Sequence, residues 1–131
     1  MRCLDTPLLE DLLLGRARAK KWLDKADAWG GEIAAAEASM VELALIAKEM
    51  GRGTDRRLSA LDALRRELTV LPLDAESTRA AIALAKKSKE DLSPIPLLVA
   101  GSAIAHGAVY LLTDHKRPFP RDLSPVKLVR I

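Results

Sequence analysis

Apolar residues in this chain follow two rhythms: short unbroken runs, and longer stretches where they recur every three or four positions. The first suits a buried strand and the second an amphipathic helix. Arg2 to Leu4 is a short run that ends at Asp5-Thr6-Pro7. Pro7 suits a first helical turn, and Thr6 is placed to cap it. Leu8, Leu9, Leu12, Leu13 and Leu14 follow at helical spacing, so the chain opens as strand then helix with Asp5 at the junction. A second helix is predicted over Arg16 to Trp29, carried by Ala17, Trp22, Leu23, Ala26 and Trp29 and stopped by Gly30-Gly31. Glu32 to Ala36 reads as a strand, although alanine is a weak strand former. Ala38 to Met50 is strongly helical through Val41, Leu43, Ala44, Ile46 and Ala47, and Gly51-Arg-Gly53 ends it.

The second half repeats the alternation. Asp55 to Leu68 places Leu58, Leu61, Leu64 and Leu68 on one side and Arg56, Arg57, Arg65 and Arg66 on the others. Thr69 to Leu73 reads as a strand and Asp74 to Lys87 as a helix with Ala81, Ile82 and Leu84 apolar. Ser93 caps a further helix with Pro94 at its first position, running to about His106-Gly107. Ala108 to Leu112 is a strand, Thr113 to Pro120 a loop, and Val126 to Ile131 a final strand. Strands alternating with helices predict an α/β fold: a short parallel sheet with helices on both faces. The whole chain, residues 1–131, reads as one domain. In such sheets sites gather at the carboxyl ends of strands, and Asp5 and Asp114 each lie at the end of a predicted strand.

Composition narrows the picture. Hydrophobic residues make up 49% of the chain, but the aromatics are two Trp, one Tyr and one Phe, so the core is aliphatic. The single cysteine, Cys3, excludes an internal disulfide and a cysteine-based zinc site, reads as a small buried hydrophobe, and fits a reducing cytoplasm. Met1 to Asp5 is too short and too acidic for a signal peptide. The apolar stretch Ile95 to Thr113 is broken by Pro96, Gly101, His106 and Gly107, so no membrane span is expected. A net charge of +3 permits contact with phosphates without demanding it.

Three acids stand out. Asp5 ends a buried strand, where a carboxylate is costly unless it is paired, hydrogen-bonded or bound to a metal; the plainer reading is a helix cap. Glu42 sits among Met40, Val41, Leu43 and Ala44, on or beside the apolar face; the plainer reading is an edge position that reaches solvent. Asp114 ends the run Val109 to Thr113, with Thr113 able to hydrogen-bond a neighbouring carboxylate; the plainer reading is a polar turn with His115, Lys116 and Arg117. Three convergent carboxylates repel one another and call for a hard cation such as Mg²⁺ or Mn²⁺. Such an ion acidifies water and neutralises phosphate charge, the requirement of phosphodiester hydrolysis. The remaining features carry less. His106 and His115 have no zinc spacing, Gly51-x-Gly53 follows a helix rather than a strand, and the arginines of 56 to 66 fit a solvated face better than an RNA contact.

The segments Cys3-Leu-Asp-Thr6, Met40-Val-Glu-Leu43 and Thr69-Val-Leu-Pro-Leu-Asp74 resemble, in order and spacing, those of PIN-domain proteins of the VapC toxin type. So do Leu92 to Gly107 and Leu111-Leu-Thr-Asp114 with Phe119, and the resemblance covers essentially the whole chain. It implies a Mg²⁺- or Mn²⁺-dependent endoribonuclease with Asp5, Glu42 and Asp114 as catalytic metal ligands and Thr6 and Thr113 in support. It also implies an RNA substrate, a homodimer, a small antitoxin protein as partner and a cytoplasmic location. The chain departs from the family at two places. A Leu-Ser-Pro-x-Asp pattern usually supplies a third acid, and Pro96 stands there, with Asp91 the nearest acid. A fourth acid often lies two residues after the threonine, where His115 stands. The alternative is therefore a PIN-fold binding module, for RNA or a protein, that has lost catalysis. A small-molecule enzyme lacks any cofactor motif to support it.

Overall fold

The computed structural model describes residues 1–28 and 30–131; Trp29, included in the predicted second helix, lies outside them. The chain begins with β1 (Arg2–Leu4), α1 (Thr6–Leu13) and α2 (Ala17–Asp27). It continues with β2 (Ile33–Ala36), α3 (Glu37–Glu49), α4 (Thr54–Glu67) and β3 (Thr69–Leu71). It ends with α5 (Ala75–Lys87), α6 (Pro94–Ala105), β4 (Tyr110–Thr113) and β5 (Lys127–Arg130). The strands form one parallel sheet in the order β3-β2-β1-β4-β5. β1 is central, with Leu4 in register with Ala35 on one side and Leu112 on the other.

The strands are short because each needs only enough residues to cross the core, and alternation sends successive side chains to opposite faces. Cys3, Ala34, Ala36 and Leu111 face one apolar cluster, with Leu84, Val99, Ala100 and Ala103 of α5 and α6. Leu4, Ala35 and Leu112 face the other, with Leu8, Leu9, Trp22, Met40, Leu43 and Leu61 of α1 to α4. Both faces are thus covered, as a parallel sheet requires. Full burial of each such leucine contributes roughly 1.5–3 kcal/mol. The alanines of β2 are wholly buried between the two helix layers, and that burial outweighs their weak strand propensity.

Boundaries differ from the sequence reading where a specific group intervenes. β3 stops at Leu71 because Pro72 has no N–H to continue the ladder. The fourth strand shifts from 108–112 to Tyr110–Thr113. His106 closes α6, and the amide of Ala108 still bonds the Ala103 carbonyl at 2.9 Å. Thr6 was expected to cap α1. Asp5 holds the cap position instead, and Thr6 is the first helical residue, its hydroxyl 3.0 Å from Ser39 Oγ of α3. Ser93 does stand at the cap position of α6 with Pro94 following.

A candidate carboxylate site at the carboxyl edge of the sheet

The strand order places a switch point between β1 and β4. The chain winds from β1 through β2 to β3, then returns to the other side of β1 to form β4. The crevice at the carboxyl ends of two such strands is where open α/β sheets bind ligands. Asp5 follows β1 and Thr113 ends β4. Asp5 is wholly buried. Although it holds the cap position of α1, its side chain makes no capping bond. Its carboxylate instead accepts from the Thr113 hydroxyl at 2.7 Å and from Arg117 Nε at 2.8 Å, both on Oδ2. Arg117 Nη2 lies 3.3 Å from Oδ1.

Glu42 comes from α3. That helix starts directly after β2, so its early turns stand at the same edge as the end of β1. Leu43 and Met40 anchor the helix in the core, and Glu42 sits between them with its side chain one-fifth exposed. It accepts from the same guanidinium, at 2.9 Å from Nη2 and 3.4 Å from Nη1. Arg117 therefore spans Asp5 and Glu42 with one planar group. Burial opposes its charge, but bonds and Coulombic attraction to Asp5, then to Glu42, outweigh that, so its pKa lies above the ordinary arginine value.

The other predicted residues are placed as follows. Asp114 Oδ1 accepts from the backbone amide of Lys116 at 3.0 Å, within its own turn. Its side chain lines a separate hollow of about 230 Å³ with Leu8, Arg18, Lys21, Trp22, Lys25 and Ile131. Successive residues of an extended chain point to opposite faces. Thr113 takes the side facing Asp5, and Asp114 takes the other. His115 and Asp91 are exposed, and Pro96 is buried at the start of α6. Thr6 ties α1 to α3 through its hydroxyl bond to Ser39.

Among the described residues, no group of three His, Cys, Asp or Glu side chains is placed to hold a metal ion. Two carboxylates and a hydroxyl still form an all-oxygen donor set, the kind a hard dication takes. Asp5 and Glu42 fit Mg²⁺ or Mn²⁺ by donor chemistry, on the condition that the guanidinium between them gives way.

Two residues that sequence reasoning passed over matter here. Arg117 was read as one of several polar residues in a loop; nothing in its spacing distinguishes it from Lys116. Asp11, also unnoticed, is wholly buried in α1. It accepts from Trp22 Nε1 and Arg16 at 3.2 Å each, and from Arg18 Nε. An acid in the leucine-rich first helix, followed by basic residues in the second, was the available signal. That network joins α1 to α2 and is saturated by its own partners.

A parallel sheet covered by helices on both faces, with two acids at its switch point, defines an α/β domain. The PIN-domain family model matches residues 2–121, and the chain belongs to that family, a family of nucleases. No curated protein sequence matches it. Solved structures do. A chain of VapBC2 from Rickettsia felis, bound to a DNA fragment from their promoter, superposes with a TM-score of 0.79 at 20% identity, covering 99% of this chain and 98% of that one. VapBC-1 from nontypeable Haemophilus influenzae gives 0.75 at 18% identity, covering 98% and 96%. A toxin–antitoxin complex from Klebsiella pneumoniae gives 0.64 at 22% identity, covering 98% and 96%. At these identities the likeness is one of fold.

Proposed function

We propose that this chain is a metal-dependent endoribonuclease, the toxin member of a toxin–antitoxin pair, with its centre at Asp5 and Glu42. The observation that carries this is the buried Asp5 carboxylate at the switch point, facing Glu42 across a shared cation. The Asp5 backbone caps α1, but its fully buried carboxylate makes no cap bond and is left free for another role. Asp5 and Glu42 would hold Mg²⁺ or Mn²⁺, which supplies Lewis acidity toward water and charge neutralisation toward a phosphate. Thr113 orients Asp5 by occupying one carboxylate lone pair. Asp114 turns toward a separate hollow, so it would join the ligands only through a movement of its turn. Lys21 and Lys25 line that neighbouring hollow and would meet RNA phosphates beyond the metal position. A small antitoxin as partner belongs to the same reading, supported by the toxin–antitoxin complex from Klebsiella pneumoniae that has this fold; a homodimer is proposed with it. One buried free cysteine suits the cytoplasm such a nuclease would work in.

A second reading is favoured by one observation: a guanidinium already sits between the acids, and no third acid joins them among the described residues. On that reading the chain is a PIN-fold binding module for RNA or protein.

Cleavage of a labelled structured RNA decides between them, with Mn²⁺ or Mg²⁺ present and with Asp5→Asn and Pro96→Asp variants alongside. The nuclease reading expects cleavage by the natural chain that is lost with EDTA and falls at least about a hundredfold in Asp5→Asn, an effect of about 2.7 kcal/mol on the barrier. An inactive natural chain, with activity appearing in Pro96→Asp, would move the assignment to the binding module.

A further inference from the structure

We propose that Arg117 is a built-in competitor for the cation position: divalent metal and the Arg117 guanidinium occupy the Asp5–Glu42 pair alternately, and Arg117 sets the metal affinity of the site. This rests on the reading of Asp5 and Glu42 as metal ligands.

Three observations carry it. The guanidinium bonds both carboxylates, using Nε, Nη1 and Nη2, so it takes up the oxygen lone pairs that a metal would need. Asp5 is closed to solvent, whereas Arg117 and Glu42 keep about a fifth of their side chains exposed, 18% and 20%. Arg117 thus lies on the solvent side of the buried acid. Finally, the loop holds Arg117 in place. Its carbonyl and that of Asp114 both accept from Arg130 Nη1 at 2.9 Å. The Asp114 side chain fastens the Lys116 amide. Pro118 restricts Arg117 to extended backbone, and Phe119 behind it is buried. The backbone that carries Arg117 is thus tethered, so only its side chain has to swing for the site to open.

Charge explains why the exchange can run both ways. The two acids carry two negative charges against one on the guanidinium, so a dication neutralises the pair more completely. The fork of charge-assisted bonds resists displacement. At low metal the arginine holds the site, stabilises a buried acid and keeps it from phosphate; at high metal it is released to the solvent edge.

The test is Mn²⁺ binding by calorimetry to the natural chain, Arg117→Gln and Asp5→Asn, with no RNA present. The proposal expects Arg117→Gln to bind Mn²⁺ about tenfold more tightly or better than the natural chain, about 1.4 kcal/mol or more, and Asp5→Asn to lose binding. Equal affinity in the natural chain and Arg117→Gln overturns the competition and leaves the metal site standing. No binding to any variant overturns both. Should Arg117→Gln fail to fold, the natural chain answers alone by NMR under Mg²⁺ titration. The hydrogen-bonded Arg117 Nε–H resonance is expected to shift or vanish as the site fills. A resonance unchanged at saturation, or no saturation at all, contradicts the proposal.

Discussion

Asp5 shows how one backbone position can serve two purposes. Its φ of −76° and ψ of 163° are those of an ordinary helix cap, yet its carboxylate turns to Thr113 and Arg117. Sequence reasoning could identify the acid, because a charge at the end of an apolar strand needs a partner. It could not identify the partner, because Arg117 lies more than a hundred residues away and only the fold brings the two together. Asp114 was equally conspicuous in the sequence, and alternation past β4 turns it toward a different hollow. The neighbouring Cys3 is legible both ways: apolar surroundings predicted burial, and it is wholly buried. Burial, then the charge of Asp5, pushes its thiol from the ordinary 9.0 up to about 12, against a smaller opposing bond from Ala36. The thiol stays protonated in the fold where the unfolded chain would ionise. Its stabilising contribution is therefore complete below pH 9 and is lost as pH rises from about 9 to 12. Urea melts of the natural chain and Cys3→Ala should keep a constant separation below pH 9. Above it, the natural chain should lose stability relative to the variant. A separation independent of pH up to 12 would contradict the burial of the thiol. A thiol reagent at pH 8 should likewise react only as fast as the chain opens.

At the scale of elements, helices were the most legible part. Leucines at three- and four-residue spacing in α1 and α4, and the Ser93-Pro94 start of α6, are local signals. Which faces would be covered was less legible. Of the apolar residues noted in α5, Ile82 is half exposed, while Ala81 and Leu84 are buried. The reason is Gly101 of α6. A methyl group there would lie 2.5 Å from the Ser77 carbonyl oxygen and 2.9 Å from Ala81, so the two helices meet backbone to backbone along small residues. In the sequence Gly101 looked like an interruption of an apolar run; in the fold it is the contact that sets the distance between α5 and α6. Replacing a helical glycine by alanine ordinarily gains up to about 1 kcal/mol. Here overpacking, which typically costs about 1–3 kcal/mol, should win. Gly101→Ala is expected to lower the urea midpoint, and an unchanged or higher midpoint would show that the interface can open without cost.

At the scale of the molecule, the α/β alternation, the parallel sheet and the cover on both faces followed from the periodicity, and the family followed from motif order. The order β3-β2-β1-β4-β5 did not, because strands of only three or four residues carry little register information of their own. Yet that order sets the carboxyl ends of β1 and β4 side by side, brings α3 to the same edge, and returns the 113–120 loop so that Arg117 meets Asp5 and Glu42. No helix among the described residues is long and apolar enough to cross a membrane, in keeping with the proline and glycine breaks in the 95–113 stretch. On the proposed function, this edge is a cation site, held by Arg117 when metal is scarce. Crystals soaked in Mn²⁺ and measured at the manganese absorption edge should show an anomalous peak between Asp5 and Glu42, with Arg117 displaced from both carboxylates. A structure at saturating Mn²⁺ that has no peak there and Arg117 still bridging the two acids would contradict it.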